Sequence, residues 1–565
     1  MKNRGLSKKL NSLFGIGLLI IILLLINVGG RFYFFRLDLT SDHRYSLHPA
    51  TQKQLEELKD IAFFRVYLDG DLPAGFQRLR NSIMETLQEM TVYGGDNIQF
   101  ELINPTESGD SDKIQDIYRE LSEQGLKYTN LYATEGEVNT EQIIFPGAIL
   151  SYNEREYPIQ FLRSNIGSTP EEMLNNSIQQ IEFELSSAIR KATNRVKSPI
   201  AVVIGEGYTQ PIYLQSLLKS LLEFYEVDTI SINGKVDALD NYDAVIIPGP
   251  NRPIPSKDKY LLDQFIMHGG KTLWFVDGVE VRKDSLFALG TTLSLANEAD
   301  LTDMLFKYGV RVNSDLIMDL QALPIPVVTG MMGDQPRQDM FPWFYYPLQF
   351  SPDNHPINQD LDAVATQFVS SLDTLKNDIS KTPLLMTSEK SKLVNAPTRV
   401  SLNILRFPPD ERQYSKGRII NGVLLEGEFQ SAFKNRISPE ISENPIFKYK
   451  EKSAPNKMIV FSSSSLVKNE VDTLRQKYFD LGYYKYTRTV YANKELVMNA
   501  VNYLMDDSGL INARSKKFKI RLLDRPEITR NRRTLQAMNT FIPVVLISLL
   551  ALIAALLRRN RYRIQ

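Results

Sequence analysis

Two uncharged apolar runs, 13–28 (LFGIGLLIIILLLINV) and 540–557 (TFIPVVLISLLALIAALL), bracket a long stretch in which apolar residues recur at much shorter intervals. As a helix the first run extends ~24 Å, close to the hydrocarbon thickness of a bilayer. Each run reads as a membrane span. The first follows Lys2, Arg4, Lys8 and Lys9 and leads into Arg31-Phe32-Tyr33-Phe34-Phe35, an interfacial aromatic belt that argues for a retained anchor over a cleaved signal peptide. In the second, Pro543 is expected in the first turn, where its missing N–H removes no helix bond, and Arg558, Arg559, Arg561 and Arg563 follow. The N-terminal cations set the orientation, with both termini cytoplasmic and the intervening chain outside the cytoplasmic membrane.

Between the spans the period alternates between two and 3.6. A helix over 49–59 precedes a strand at 61–68. A helix at 75–90 carries Leu79, Ile83, Leu87 and Met90 on one face, and a strand at 98–103 and a helix at 114–124 follow. The runs 145–152 and 157–161 read as a hairpin about Asn153-Glu154, and Leu174, Ile178, Ile181, Leu185, Ile189 and Ala192 stripe one long helix. That β-α-β-α-β-β-α order is the thioredoxin-like arrangement. Where a redox motif would sit, the chain reads Asp69-Gly70-Asp71-Leu72-Pro73-Ala74-Gly75, without cysteine, and Phe145-Pro146 occupies the place of a cis-proline. A docking platform is the expected role.

A second unit opens at Ser198-Pro199. The strand at 200–204 is apolar on both faces and ends in Gly205-Glu206-Gly207, followed by a helix at 211–224. Strands at 227–232, 244–247 and 272–276, a helix at 257–268, and a returning strand and helix at 457–461 and 495–505 imply a doubly wound α/β sheet. The predicted organisation is an anchor (1–36), a thioredoxin-like domain (37–197), a doubly wound domain (198–510) with an insertion at about 299–446, a basic juxtamembrane stalk (511–539) and a second anchor (540–565). Within the insertion, the Gly- and Asp-rich run 331–338 is expected to be a mobile loop.

Composition narrows the chemistry. Lys+Arg and Asp+Glu balance at 66 each, so no global field draws in nucleic acid. The absence of cysteine excludes disulfides, thiolate metal sites and a Cys nucleophile. The four histidines, His43, His48, His268 and His355, are scattered, and neither a metal site nor a cofactor is predicted.

Several motifs fall short. Gly205-Glu206-Gly207 lies between strand and helix, yet Gln210 replaces the third glycine of a dinucleotide fingerprint. Gly269-Gly270-Lys271-Thr272 imitates a P-loop tail with Phe265 in place of its first glycine. Ser216–Lys219 and Ser465–Lys468 match S-x-x-K without its companion motifs. No catalytic residues are assigned. A ligand pocket is placed instead beyond the carboxyl ends of the parallel strands, at Gly205, Glu206, Gly207, Gly249, Asp277, Gly278, Ser462 and Ser463, where short side chains expose backbone N–H groups. In the second span, Ser548, Ala551 and Ala555 share one helix face and would let another helix pack closely.

The segments LDLTSDHRYSL (37–47), VYLDGDLPAGFQRLRNSIMETLQEM (66–90), GLKYTNL (125–131), FPGAILSY (145–152) and RLLDRPEI (521–528), with the two-anchor layout, resemble the GldG family. These are gliding-motility-associated auxiliary components of an ABC transporter in Bacteroidetes-type bacteria. The resemblance implies a substrate-binding or auxiliary role beside a separate ATPase and a membrane permease. It also implies that the doubly wound unit is class I glutamine amidotransferase-like, a group shared with an intraflagellar-transport protein. That group's enzymes use a Cys nucleophile, so their activity does not carry over to this chain.

Two readings follow. The first is a non-enzymatic subunit of an ABC-type complex, anchored in the bilayer and partnered by the permease and, through it, the ATPase. The alternative is a membrane-tethered periplasmic hydrolase or glycan-binding protein, which needs a convergent nucleophile and base.

Overall fold

The computed structural model describes residues 15, 17–19, 21–22, 46–107, 109–135, 138–163, 169–194, 197–352, 355–438, 440, 443–444, 448–472, 474–506, 509, 511, 514 and 525–561. Most of the first apolar run, all of its aromatic belt and most of the segment 507–524 lie outside the described residues. The chain forms two compact units, 1–516 and 517–565.

In the first unit, α1 (Pro49–Glu56) leads to β1 (Ala62–Val66), α2 (Ala74–Gly94), β2 (Ile98–Leu102) and α3 (Ser111–Glu123). A hairpin of β3 (Thr129–Glu135) and β4 (Val138–Ile144), not foreseen from the sequence, precedes a second hairpin of β5 (Gly147–Tyr152) and β6 (Arg155–Gln160). The sheet order is β2-β1-β5-β6, with β1 and β2 parallel and β5 antiparallel to β1. Leu79, Ile83, Leu87 and Met90 of α2 are all fully buried against this sheet. Burial of each such side chain contributes about 1.5–3 kcal/mol. The β5–β6 turn sits at Asn153 and Glu154, both at positive φ (49° and 61°), the geometry of a tight two-residue hairpin turn.

Two expectations for this region are corrected. Phe145–Pro146 is trans, the cis X–Pro bond among the described residues being Ala396–Pro397. The Gly147 N–H donates to the Phe145 carbonyl at 2.8 Å, closing a three-residue turn centred on Pro146 whose fixed φ suits it. The long apolar stripe is two helices, α4 (Pro170–Gln179) and α5 (Ile181–Thr193), meeting at Gln180 (φ −100°, ψ 0°). There the Gln180 N–H turns back to Ser177, tightening the last turn and ending the first helix.

The larger sheet starts at β7 (Pro199–Val203) and continues through α6 (Gln215–Leu222), β8 (Glu226–Ile230), β9 (Ala244–Pro248), α7 (Ser256–Met267) and β10 (Lys271–Phe275). The short helix α8 (Lys283–Leu289) follows. The insertion then supplies a long hairpin, β11 (Ala322–Met332) and β12 (Gln335–Gln349), and two strands, β13 (Ser380–Met386) and β14 (Ile420–Gln430), before β15 (Lys452–Phe461) and α9 (Asn493–Met505). The seven-stranded order is β13-β14-β15-β10-β9-β7-β8. The five strands from β15 to β8 are mutually parallel, and β13 and β14 add an antiparallel edge. Period-two alternation sends Ala201, Val203, Val245, Ile247, Trp274 and Val460 to one core, beneath α7. It sends Ile200, Val202, Ile246, Leu273, Phe275 and Phe461 to the other, beneath α6 and α9. Both faces are thus covered, as a continuous apolar run in a parallel strand requires.

The run 331–338, expected as a loop, is the turn of the β11–β12 hairpin: Met332 pairs with Gln335, and Gly333 takes φ +64° between them. Two strands of the insertion, moreover, belong to the main sheet.

In the second unit, α10 (Arg525–Arg561) is one 37-residue helix whose section Arg530–Leu556 is long and apolar enough to cross a membrane. Pro543 lies inside this helix rather than in its first turn. Residues such as Arg532, Leu535, Gln536, Ala537 and Met538 are good helix formers, and they extend the helix upstream of the apolar run.

Candidate functional site

The carboxyl ends of β7, β9, β10 and β15 come together where the sequence places the pocket, but its glycines and serines do not all face an opening. Backbone bonds tie the ends to one another: Gly249 N donates to the Phe275 carbonyl (2.8 Å), Thr209 N to Pro248 (3.1 Å), Asn251 N to Gly207 (2.8 Å) and Val276 N to Phe461 (2.9 Å). Gly205 and Gly207 take positive φ (138° and 87°), so the turn after β7 depends on them. Glu206 points to solvent and pairs with Arg252.

Gly278, Ser462 and Ser463 are buried. A Cβ on Gly278 would lie 2.0 Å from the Asn313 carbonyl, and the Ser462 hydroxyl donates to Ser370 O at 2.6 Å. Segments of the insertion therefore close that part of the predicted pocket. The Ser463 and Ser465 hydroxyls pair at 2.7 Å, and Ser465 accepts the Gln367 N–H at 3.0 Å.

The remaining polar groups gather about Ser464, itself 2% exposed, with the exposed Lys468 above it. Its N–H donates to Asp277 Oδ1 at 2.7 Å, its hydroxyl donates to the other oxygen of Asp277, and Lys468 Nζ donates to that hydroxyl at 2.6 Å. A Cβ on Gly249 (φ +63°) would sit 2.6 Å from Ser464 Cβ and 2.7 Å from Thr209 Oγ1, so only glycine admits this close approach. Thr209 is 6% exposed and its hydroxyl has no hydrogen-bond partner.

Lys283, at the start of α8, donates to the Gln367 side chain and lies 6.0 Å from the Tyr346 ring centre. Its ammonium is pushed down to about 8, first by the protein packed around it and then by the charge of Lys468, with Lys485 adding to this and Glu470 and Asp277 opposing it. The residue still keeps exposed surface, so solvent screening trims the effect. Lys485 lies 3.7 Å from Glu470 and 5.2 Å from the Tyr486 ring centre. Sequence reasoning missed Thr209, Lys283 and Lys485. Lys468 appeared only within an S-x-x-K match to Ser465, whereas its partner is Ser464, four residues before it.

A groove of about 590 Å³ opens at the opposite, amino edge, beside Ser198, Asp243 and Lys271. Much of its polar lining is already paired: Lys271 with Asn456 (3.0 Å), Lys448 with Asp240 (3.3 Å), Gln264 with Lys450 and His268 with Gln264; the Tyr260 hydroxyl has no partner. The second S-x-x-K match is structural, since the Ser216 hydroxyl accepts the Leu481 N–H at 2.8 Å inside the core. Among the described residues no group of three or more His, Cys, Asp or Glu is arranged to hold a metal ion. Ser548, Ala551 and Ala555 lie on α10.

Fold and site together define a mixed α/β protein with a polar, lysine-rimmed cluster at the sheet's carboxyl edge and, among the described residues, one apolar C-terminal helix of spanning length. The chain belongs to the family described as an ABC-type uncharacterized transport system, whose model matches residues 197–500. A second model, described only as a domain of unknown function, matches 41–151. No curated protein matches the sequence. Among solved structures, the mmIFT52 N-terminal domain is similar at 14% identity, over 55% of this chain and 99% of that one, with a TM-score of 0.31, too slight a likeness to assign a fold.

Proposed function

We propose that this protein is a GldG-like, non-enzymatic auxiliary subunit of an ABC-type transport complex, serving gliding motility or export of surface material. The observation that carries the reading is the match of the transport family to 197–500, which spans the doubly wound sheet from β7 into α9. Two spans anchor the chain in the cytoplasmic membrane, and its large unit stands outside. In this reading the region of β1–β6 is a thioredoxin-like platform and the larger sheet a glutamine amidotransferase-like scaffold, each without its enzyme's cysteine. A permease contacts the anchors, and a separate ATPase supplies nucleotide hydrolysis. The ligand binds at the carboxyl edge of the larger sheet, about Gly205, Gly207, Gly249 and Asp277.

The competing reading, a tethered hydrolase, has one feature in its favour: the Ser464 hydroxyl lies beside Lys468. That hydroxyl, however, is 2% exposed and directs its proton to the Asp277 carboxylate, and Lys468 acts as a donor to it rather than a base.

Purification of the full chain in a gentle detergent, with identification of co-purifying chains, tests the proposal. A permease and an ATPase in stoichiometric amounts are expected. Their absence, or amidase or esterase turnover that is lost in Ser464→Ala, overturns it.

A further inference from the structure

Three lysines from separate segments stand near one another at the carboxyl edge of the parallel sheet: Lys283 at the start of α8, Lys468 in the turn after β15, 2.6 Å from Ser464 Oγ, and Lys485 before α9, 3.7 Å from Glu470, the latter two close enough for their charges to act on Lys283. All three keep exposed surface. Hydrogen bonds link their surroundings. Lys283 donates to the side chain of Gln367, whose N–H reaches Ser465 Oγ at 3.0 Å; Ser465 Oγ is 2.7 Å from Ser463 Oγ; and Lys468 is 2.6 Å from Ser464 Oγ. Two carboxylates, Asp277 and Glu470, face these three cations, which leaves a net positive charge.

Like charges gathered in this way raise the energy of an empty site, and an anion relieves the cost. Below the lysines lies an unsatisfied hydroxyl. Thr209 Oγ1 has no partner, and it sits 2.7 Å from the point where a Gly249 Cβ would lie, with Ser464 Oγ 3.1 Å from the same point. A buried hydroxyl without a partner loses free energy in the unliganded protein, which a bound acceptor restores. Cations at the rim and the unpaired Thr209 hydroxyl beneath them suit a compact oxyanion with several acceptor oxygens.

We infer that Lys283, Lys468 and Lys485, with the hydroxyl of Thr209, form a binding site for a phosphate monoester dianion. The inference rests on the reading of this edge as the ligand site of the auxiliary subunit and specifies the ligand's chemistry. A phosphorylated sugar, the phosphate of an anionic lipid and free inorganic phosphate share that chemistry.

The test is calorimetric titration of the full chain in detergent with inorganic phosphate, glucose 1-phosphate and short-chain phosphatidic acid. At least one is expected to bind, and the preferred one identifies the source. Lys283→Gln and Lys468→Gln are each expected to weaken that binding by about tenfold or more, as loss of a charge-assisted contact does, while Lys468→Arg retains it. Thr209→Val gives an independent readout. It removes an unpartnered hydroxyl, so melting is expected to stay level or rise while phosphate affinity falls. Absence of binding by all three probes, or binding unchanged in the glutamine variants and in Thr209→Val, overturns the inference. Co-purification of permease and ATPase with such a non-binding protein leaves the subunit assignment standing.

Discussion

Arg514 donates to Glu495 across 2.9 Å with 1% of its side chain exposed, and the same carboxylate oxygen receives Arg163. Arg163, which also pairs with Glu184 of α5, follows β6, and Glu495 lies in the first turn of α9. Arg514 further stacks on Phe183, 5.1 Å from its ring centre. One carboxylate thus joins the smaller sheet, the larger sheet and the chain's exit toward the C-terminal helix. Burial opposes the ionised form of Glu495, but Arg163 and then Arg514 outweigh it and hold the carboxyl below its ordinary range.

The sign of the pH effect follows. A carboxyl depressed in the folded state contributes stability above its unfolded value, near 4.5, and loses it as pH falls through the folded value. Glu495→Gln is expected to cost about 3 kcal/mol at pH 7, because two arginines lose their shared partner. Thermal melts from pH 7 downward should show the gap between wild type and variant closing below about 4.5. A gap independent of pH would show that the carboxylate's charge is not what holds these segments.

Asp263, on α7, is fully buried and accepts from Tyr308 OH (2.7 Å), Ser431 Oγ (2.6 Å), Ala432 N (2.7 Å) and Gln264 Nε2 (2.9 Å). Burial raises its carboxyl, and the four donors oppose the rise. Asp263→Ala strands these donors and is expected to destabilise the first unit by about 3 kcal/mol or more, read as a lower denaturant midpoint. Asp263→Asn keeps the shape and part of the bonding, and should cost less. Equal effects would mean that volume, not hydrogen bonding, decides.

Topology is accessible because the chain has no cysteine of its own. Single cysteines at Ser7, Ser256 and Arg561 are expected to react differently with an impermeant maleimide on cells with a permeabilised outer membrane. Only the Ser256 position, exposed at the start of α7, should label. Labelling at either terminus contradicts the two-span arrangement, and a mature N-terminus near Arg31 would identify the first run as a signal peptide.

Ser548, Ala551 and Ala555 are spaced three and four apart on α10, and small residues on one helix face allow close backbone approach in lipid, where apolar burial gives little drive. The double variant Ala551→Leu, Ala555→Leu is expected to lose co-purifying permease while membrane insertion and melting of the first unit stay unchanged. Retained co-purification would place assembly in the large unit and leave the helix as a tether.

Local pattern made much of this architecture legible. The continuous apolar runs 200–204 and 244–247 mark strands buried on both sides, and the stripe through Leu79, Ile83, Leu87 and Met90 marks a buried helix face. The break at Gln180, the hairpin Thr129–Glu135 with Val138–Ile144, and the helix running through Pro543 were not legible. In these places turn geometry and neighbouring helix formers outweighed the simple period.

The candidate site divides along the same line. The sequence alone determined which strand ends carry glycine, serine and aspartate, because those residues sit at fixed offsets after apolar runs. Only the tertiary structure decided which of them remain reachable. Asn313 and Ser370, far along the insertion, fold over Gly278 and Ser462, while Lys283 and Lys485, some two hundred residues apart, meet Lys468 at one rim. Sequence period reports which face a residue takes on its own element; which distant segment covers that face, or adds its charge to it, depends on the packing of the whole chain.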